Sequence, residues 1–130
     1  MKKICLIITL LFILTACGQD RDNSKGAVYM NITAEQAKAI MDTQEDYVIL
    51  DTRTQEEFDE GHIPGAILIP YDEVLQKAES VLTDKDQLIL VYCRSGRRSK
   101  LAAEALVELG YTNIKEFGGI IDWPYEVEKP

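Results

Sequence analysis

The stretch QLILVYCRSGRRS, residues 87–99, carries the clearest indication of how this chain folds. It starts with an apolar run, residues 87–92, which is the most strand-like segment of the sequence and has the length of a fully buried strand. Cys93 opens the polar loop behind it, and an amphipathic helix is predicted over 99–109, with Gly110 at its end. A buried strand that leads through a short loop into a helix is typical of a parallel sheet.

The rest of the chain repeats this alternation of strand and helix. Short apolar runs predict the other strands, and capping boxes or turn residues mark the helices between them. The expected strands are 28–30, 47–50, 66–69 and 113–117, and the expected helices are 34–41, 54–61 and 72–82, the last with Asp72 as its cap. We therefore predict one α/β domain over residues 27–130, with a parallel sheet covered by helices on both faces.

Composition limits the possible functions. The 130 residues carry a net charge of −8 and are 46% hydrophobic, which suits a single globular domain. Binding to nucleic acid is not expected, because phosphate contacts need clustered Lys and Arg on a basic surface. The single histidine, His62, argues against a His-rich metal site, and three cysteines are too few for a disulfide scaffold.

The N-terminal residues have the pattern of a secretory signal. A basic start, residues 1–3, precedes an apolar run over 4–14, which is shorter than the roughly 20 residues of a spanning helix. The small residues before Cys17 resemble a bacterial lipobox. We therefore expect a lipoprotein signal peptide over 1–16, acylation of Cys17 by chains such as palmitate, and an extracytoplasmic protein anchored to a bacterial membrane. The alternatives are an ordinary signal peptide with an incidental cysteine and an uncleaved anchor.

The lipoprotein hypothesis leaves one free thiol. After Cys17 the chain has no apolar residue up to residue 26 and no hydrophobic periodicity. Residues 17–26 are therefore predicted to form a flexible tether between membrane and domain. Cys5 would leave with the signal peptide and Cys17 would be lipidated. Cys93 would then have no partner for an intramolecular disulfide, and an unpaired thiol outside the membrane is a liability unless it is buried or used.

Cys93 is the candidate nucleophile. Ligands of open parallel sheets bind beyond the carboxyl ends of the strands, where a loop entering a helix points its backbone N–H groups at one place. The helix dipole and the nearby arginines favour the thiolate, which is the reactive form. The same groups would bind an anionic substrate, and the candidate cradle consists of Arg94, Ser95, Gly96, Arg97 and Arg98. The alternative, a buried and inert cysteine, is disfavoured by these arginines.

A family resemblance emerges at these residues. The active-site loop of single-domain rhodaneses, sulfurtransferases that carry sulfur as a cysteine persulfide, is similar to Cys93-Arg94-Ser95-Gly96-x-Arg98-Ser99. Other segments of the chain resemble further signatures of this family. They are LDTR at 50–53, EF at 57–58, GHIPGA at 61–66, IP at 69–70, GGI at 118–120 and Trp123. The resemblance covers about residues 31–127 and keeps the order of the motifs.

The resemblance implies a five-stranded parallel sheet with flanking helices and a double-displacement mechanism. The Cys93 thiolate would attack the outer sulfur of a donor such as thiosulfate, held by residues 94–98, and pass the sulfur to cyanide or a thiol. No metal or organic cofactor would be needed. We expect a monomer whose partners are the anionic sulfur donor, the acceptor and the membrane. The alternative function is a membrane-tethered persulfide carrier or sulfur-binding interaction module with little turnover of its own.

Loop length separates this hypothesis from cysteine phosphatases. Those enzymes carry C-x5-R, usually with a histidine before the cysteine. Here Tyr92 precedes Cys93, and Arg98 follows at C-x4-R. The shorter loop makes a smaller cradle, which suits a single sulfur better than a phosphoryl group.

Several residues near the predicted site are assigned supporting roles. Asp51 lies at a strand end, where it could accept loop N–H bonds or pair with an arginine. Arg53 is expected to form an ion pair with Glu57. His62 is interpreted as a turn residue that holds backbone groups, and Trp123 as part of the core rather than a substrate contact.

Overall fold

The computed structural model describes residues 28–130. The predicted signal peptide (1–16), Cys17 and the predicted tether (17–26) lie outside the described residues. Within 28–130, one sheet contains the strands β1 (Met30–Asn31), β2 (Tyr47–Asp51), β3 (Ile67–Leu68), β4 (Leu88–Cys93) and β5 (Ile114–Gly119). All neighbours are parallel, in the order β1-β5-β4-β2-β3. The five-stranded parallel sheet is thus confirmed.

Four helices cover both faces of the sheet, as the sequence predicts. They are α1 (Ala34–Thr43), α2 (Gln55–Glu60), α3 (Val74–Val81) and α4 (Arg97–Glu108). Every residue of β4 is buried, because α3 and α4 pack on one face of this central strand while α1 and Phe58 of α2 pack toward the other. Its near-continuous apolar run is the pattern of a strand with two covered faces.

Capping boxes start two of these helices. The Thr33 hydroxyl accepts a hydrogen bond from the Gln36 backbone N–H, and the Gln36 side chain accepts one from the Thr33 N–H. Thr54 and Glu57 repeat the arrangement at α2. Both boxes are predicted from the sequence and both are confirmed, because this motif depends only on residues three apart.

Element boundaries differ from the predicted ones by one or two residues, including at α3, β4 and α4. Asp72 does not cap a helix: residues 71–73 form a 3₁₀ turn after Pro70, and α3 begins only at Val74. Strand β4 runs one residue further than predicted and includes Cys93. Helix α4 begins at Arg97 rather than at residue 99, because the left-handed conformation of Gly96 turns the chain directly into the helix.

The parallel arrangement brings the ends of three strands together. Asp51 ends β2, Cys93 ends β4 and Gly119 ends β5, so these residues lie at the same edge of the sheet. The two-residue β1 joins the sheet short of this edge, because Met30 pairs with Lys115, which pairs with Leu90, three residues before Cys93. The described part of the chain contains no helix long and apolar enough to cross a membrane.

Candidate active site

Cys93 lies beneath the loop that follows β4. It is only 1% exposed, so the prediction that the arginine-rich loop would keep it out of the interior is wrong. The reason is that β4 extends through Cys93, and the loop folds back over the sulfur. The Gly96 backbone N–H donates to the Cys93 Sγ at 3.0 Å, and the Ser99 hydroxyl lies 3.3 Å from the same sulfur.

These contacts set the acidity of the thiol. Burial raises the pKa of Cys93, but hydrogen bonds from the Ser99 hydroxyl and from the backbone N–H groups of Ser99, Gly96 and Ser95 lower it by more, so the pKa lies below its usual value. The sequence predicts this direction from the loop and helix geometry. The arginines are not among the main causes, so the loop's hydrogen-bond donors favour the thiolate more than its charged side chains do.

A bulge in β5 brings a glycine against the loop. Val91 pairs with Glu116 whereas Cys93 pairs with Gly119, so β5 carries one extra residue, and Gly118 takes a positive φ of 86°. A Cβ on Gly119 would lie 2.0 Å from the Arg94 carbonyl oxygen, a contact no side chain can make. The Ile121 N–H donates to that same oxygen at 3.2 Å. The bulge therefore holds the loop in position.

Two residues near the sulfur are given no role by the sequence reasoning. Ser99 belongs to the loop motif, but only the structure brings its hydroxyl to the sulfur. Glu116 of β5 is buried and accepts hydrogen bonds from the Ser99 hydroxyl at 2.6 Å and from the Gly118 N–H at 2.8 Å. By strand alternation Glu116 falls on the same face as Ile114, and a carboxylate on a strand face predicted to be covered by helices is the signal that could have identified it.

The arginines near the loop differ in their availability. Arg98 forms a bidentate ion pair with Glu57, at 2.6 and 2.9 Å, across 41 residues of sequence. Arg53 pairs instead with Asp51, with its Nη2 2.7 Å from the carboxylate, so the predicted Arg53–Glu57 pair is wrong. Arg94 and Arg97 are exposed and form no ion pair within the described residues.

The Glu57–Arg98 pair predicts a pH-dependent stability. The hydrogen bonds from Arg98 lower the pKa of Glu57 to about 2, below the roughly 4.3 of a free glutamate. The pair therefore stabilises the fold fully above about pH 4.5, and its contribution is lost as the pH falls toward 2. We expect Glu57→Gln to be less stable than wild type at about pH 6 and equal to it near pH 2, because glutamine keeps the capping box but not the charge.

Urea unfolding across this pH range measures the effect. Glu56→Gln is the matched control, because Glu56 is the exposed neighbour on the same helical turn and forms no ion pair among the residues described. A constant difference between Glu57→Gln and wild type across the range would contradict the prediction.

Asp51 is the centre of a buried network beside the loop. It is fully buried and accepts hydrogen bonds from the Arg53 side chain, from the Arg53 N–H at 2.9 Å and from the Tyr92 hydroxyl at 2.6 Å. Burial, followed by the charge of Asp51, raises the pKa of Tyr92. The Tyr92 oxygen in turn accepts from the Ile63 N–H. Asp51 and Arg53 therefore tie the end of β2 to β4, which agrees with supporting roles.

His62 is a structural residue, as the sequence interpretation has it. Its ring stacks on Phe58 at 3.7 Å, and its Nδ1 lies 2.9 Å from the Phe58 carbonyl oxygen. Its backbone pairs with Glu128 in an isolated antiparallel bridge. Trp123 is buried in the core against Phe117, as expected.

A cleft opens over the loop. It has a volume of about 420 Å³ and is lined by Arg53, Glu57, Glu60, Arg94, Arg98, Ile120 and Ile121. Both Arg53 and Arg98 are neutralised by their carboxylate partners, which leaves Arg94 as the cation of the cleft that has no ion-pair partner in the described range. Arg97 does not line the cleft. Among the predicted cradle residues, Arg94 is thus the best placed to meet an incoming anion.

The arrangement defines a class of protein: a parallel α/β fold with a buried cysteine under a loop of N–H donors at the carboxyl edge of its sheet. The chain belongs to the rhodanese-like family, since the model of the rhodanese-like domain matches residues 33–124. The resemblance found in the sequence is thereby confirmed.

Curated relatives are named for sulfur chemistry. Thiosulfate sulfurtransferase PspE from Escherichia coli (strain K12) is 40% identical over 73 residues, which cover 56% of this chain and 70% of that protein. The putative sulfur carrier protein YrkF from Bacillus subtilis is 33% identical over 112 residues, which cover 85% of this chain and 60% of that protein. The chain spans only 22% of the adenylyltransferase and sulfurtransferase UBA4 from Meyerozyma guilliermondii, at 41% identity over 93 residues, or 65% of this chain.

Solved structures share the fold. A rhodanese with anions from E. coli superposes with a TM-score of 0.61 at 36% identity, covering 65% of this chain and 99% of that chain. The chain is therefore a rhodanese-like protein of a sulfurtransferase family, and sulfur transfer is the general chemistry that its relatives indicate.

Proposed function

We propose that the chain is a thiosulfate sulfurtransferase that works through a persulfide on Cys93. The observation that carries the proposal is the hydrogen bond from the Gly96 N–H to the Cys93 Sγ, 3.0 Å long, at the carboxyl end of β4. A thiol whose pKa is lowered by loop donors has a larger fraction in the thiolate form, which is the reactive nucleophile, than an ordinary cysteine. The name of PspE supports thiosulfate as the donor.

The first step transfers sulfur to the enzyme. The Cys93 thiolate attacks the outer sulfur of thiosulfate, a bond forms between the two sulfur atoms, and the sulfur–sulfur bond of thiosulfate breaks. The electron pair of that bond leaves with sulfite. Arg94 binds the dianionic donor at the cleft. The loop N–H groups, which are already oriented before the donor arrives, stabilise the terminal sulfur of the persulfide.

The second step returns the thiolate. Cyanide or a thiolate attacks the terminal sulfur of the persulfide and forms thiocyanate or an acceptor persulfide, while Cys93 leaves as thiolate. Each step displaces one sulfur nucleophile by another, so electrons balance without a cofactor. The N–H donors that stabilise the Cys93 thiolate make it a good leaving group.

Sustained formation of thiocyanate from thiosulfate and cyanide by the full-length chain tests the proposal. Many turnovers per molecule support the enzyme. A persulfide on Cys93 without turnover would favour a second candidate function, a sulfur carrier. The burial of Cys93, which restricts access of acceptors to the sulfur, and the name of the relative YrkF favour that candidate. Neither turnover nor adduct would overturn both.

Arg94 and Arg97 provide a matched test of donor binding. Arg94→Ala is expected to raise the KM for thiosulfate about tenfold with a smaller change in kcat, because one charge-assisted contact to the anion is lost. Arg97→Ala is the control: it removes an equal charge two residues before Ser99 but outside the cleft. Steady-state kinetics at fixed ionic strength measure both, and equal effects of the two substitutions would show that only the general positive charge matters.

We also propose that the protein is an extracytoplasmic lipoprotein anchored through Cys17. The support is the basic start, the short apolar run and the small residues before Cys17 in the sequence. Incorporation of labelled palmitate into the wild-type chain, lost in Cys17→Ala, is the expected result. Labelling that persists in Cys17→Ala would overturn the proposal.

A further inference from the structure

Glu116 is a buried acid that the proposed transfer steps do not use. It lies on β5 and is only 2% exposed, which is costly for a carboxylate unless hydrogen bonds compensate. Its Oε1 is 2.6 Å from the Ser99 Oγ, and the Ser99 Oγ is 3.3 Å from the Cys93 Sγ. The Ser99 hydroxyl is fully buried, so no solvent separates the acid from the thiol along this path.

The Ser99 hydroxyl has one proton and four close neighbours. Three of them are acceptors: the Glu116 carboxylate, the Gly96 carbonyl at 3.0 Å and the Gly118 carbonyl at 3.4 Å. The fourth is Cys93. With Glu116 charged, its short contact takes the serine proton, and the sulfur then loses the Ser99 hydroxyl as a donor, which favours the thiol. With Glu116 protonated, the carboxyl donates to Ser99 and the hydroxyl is free to donate to a thiolate.

We propose that Glu116 and Cys93 share one proton through the Ser99 hydroxyl, with Glu116 as a positioning residue for the nucleophile. This inference rests on Cys93 being the nucleophile of the proposed function. The Cys93 proton moves to the Ser99 Oγ while the serine proton moves to the Glu116 Oε1. The products are a thiolate, an unchanged serine and a neutral carboxylic acid, so the buried site gains no net charge.

The same path runs backwards when sulfur leaves. Once the acceptor has removed the terminal sulfur, Cys93 is a thiolate, and the proton stored on Glu116 returns through Ser99 to give the resting thiol. The single histidine of the chain is engaged with Phe58 and Glu128 instead. A carboxylate thus serves as the proton acceptor of the thiol in this site.

The surroundings of Glu116 contain few other titratable groups. On the neighbouring strand β4, the titratable group near Glu116 is Cys93. Tyr29 precedes β1, and its pKa is raised by burial and then by the charges of Glu104 and Glu116. Glu104 is an exposed residue of α4 and has no contact with Ser99 among those described. Glu104→Gln therefore removes one nearby negative charge without touching the proposed path.

The pH dependence of Cys93 alkylation tests the proposal. The full-length chain is treated with iodoacetamide, and the rate at Cys93 is followed by peptide mass spectrometry. A shared proton gives wild type two steps separated by a region in which the rate does not change with pH. Glu116→Gln is expected to show a single step, with a rate that rises about tenfold per pH unit up to one plateau.

Two variants separate this mechanism from general charge effects. Glu104→Gln is expected to keep the two-step profile of wild type. Ser99→Ala is expected to lose it, because the carboxyl and the sulfur are no longer joined by a hydroxyl. Superimposable single-step profiles for wild type and Glu116→Gln would overturn the proposal, as would a two-step profile in Ser99→Ala or a single step in Glu104→Gln.

A second measurement does not depend on any glutamate variant folding. In protein labelled with ¹³C at glutamate carboxyls, Glu116 should titrate in two steps in wild type and in one step in Cys93→Ser, since the serine hydroxyl does not titrate. Identical single midpoints in both proteins would refute the shared proton. Neither assay uses thiosulfate or cyanide, so its failure is distinct from a failure of the proposed sulfurtransferase activity.

Discussion

Cys93→Ser is expected to abolish sulfur transfer, with a loss of about 10³-fold or more in thiocyanate formation. A serine hydroxyl is not ionised at neutral pH and is a poor nucleophile toward sulfur, so no persulfide can form on it. The Gly96 N–H and Ser99 can bond an oxygen where they bond the sulfur now. The variant should therefore fold normally and fail only in chemistry.

Thermal unfolding and mass spectrometry complete this experiment. The Cys93→Ser protein is expected to unfold within a few degrees of wild type and to carry no sulfur adduct at residue 93 after exposure to thiosulfate. Turnover of thiosulfate by this variant at a rate near that of wild type would refute Cys93 as the nucleophile.

Gly119→Ala is expected to produce the second-largest effect, a loss of about 100-fold or more in kcat/KM. The backbone of Gly119 is extended, so alanine is not strained there by its own torsion angles. The obstacle is the loop: the new Cβ would lie 2.0 Å from the Arg94 oxygen and 2.5 Å from the Ser95 nitrogen. The loop must move away, and its N–H donors would leave the Cys93 sulfur.

Gly110→Ala is the matched control for this substitution. Gly110 follows α4 with a positive φ of 90°, and a Cβ there would meet nothing within 4 Å. It should cost about 1–2 kcal/mol of stability through backbone strain while leaving activity intact. If Gly119→Ala lowers the free energy of unfolding but keeps full activity, the loop does not depend on the close approach of β5.

The fold could be predicted because its signals are local. The apolar run 87–92, the capping boxes at Thr33 and Thr54 and the turn glycines each act over a few residues. The boundary at Asp72 could not be predicted from its own capping propensity, because the chain leaving Pro70 first forms a 3₁₀ turn. Helix α4 likewise begins at Arg97, two residues before the start that the sequence predicts, because Gly96 adopts the left-handed conformation.

The site could be predicted only in part, because its partners come from distant segments. The loop motif identifies Cys93 and the direction of its pKa, since loop and helix are contiguous. Glu57 forms an ion pair with Arg98, and Arg53 forms one with Asp51. Both pairings depend on the positions of β2, α2 and α4 in the folded protein. The β5 bulge brings Gly119 close to Arg94 and Glu116 into contact with Ser99. No local sequence pattern predicts this bulge.

The parallel sheet also sets where the cleft lies relative to the start of the domain. Met30 at the start of β1 pairs with Lys115, which pairs with Leu90, so the chain enters the sheet three residues before the level of Cys93, or about 10 Å along the strands at 3.3 Å per residue. Under the proposed anchorage, the lipid is joined to the domain through the predicted tether 17–26, and the cleft lies on the side of the domain toward which the strands run. Water-soluble donors and thiols then reach the cleft without crossing the bilayer interface, and a protein acceptor needs a domain that projects from the membrane.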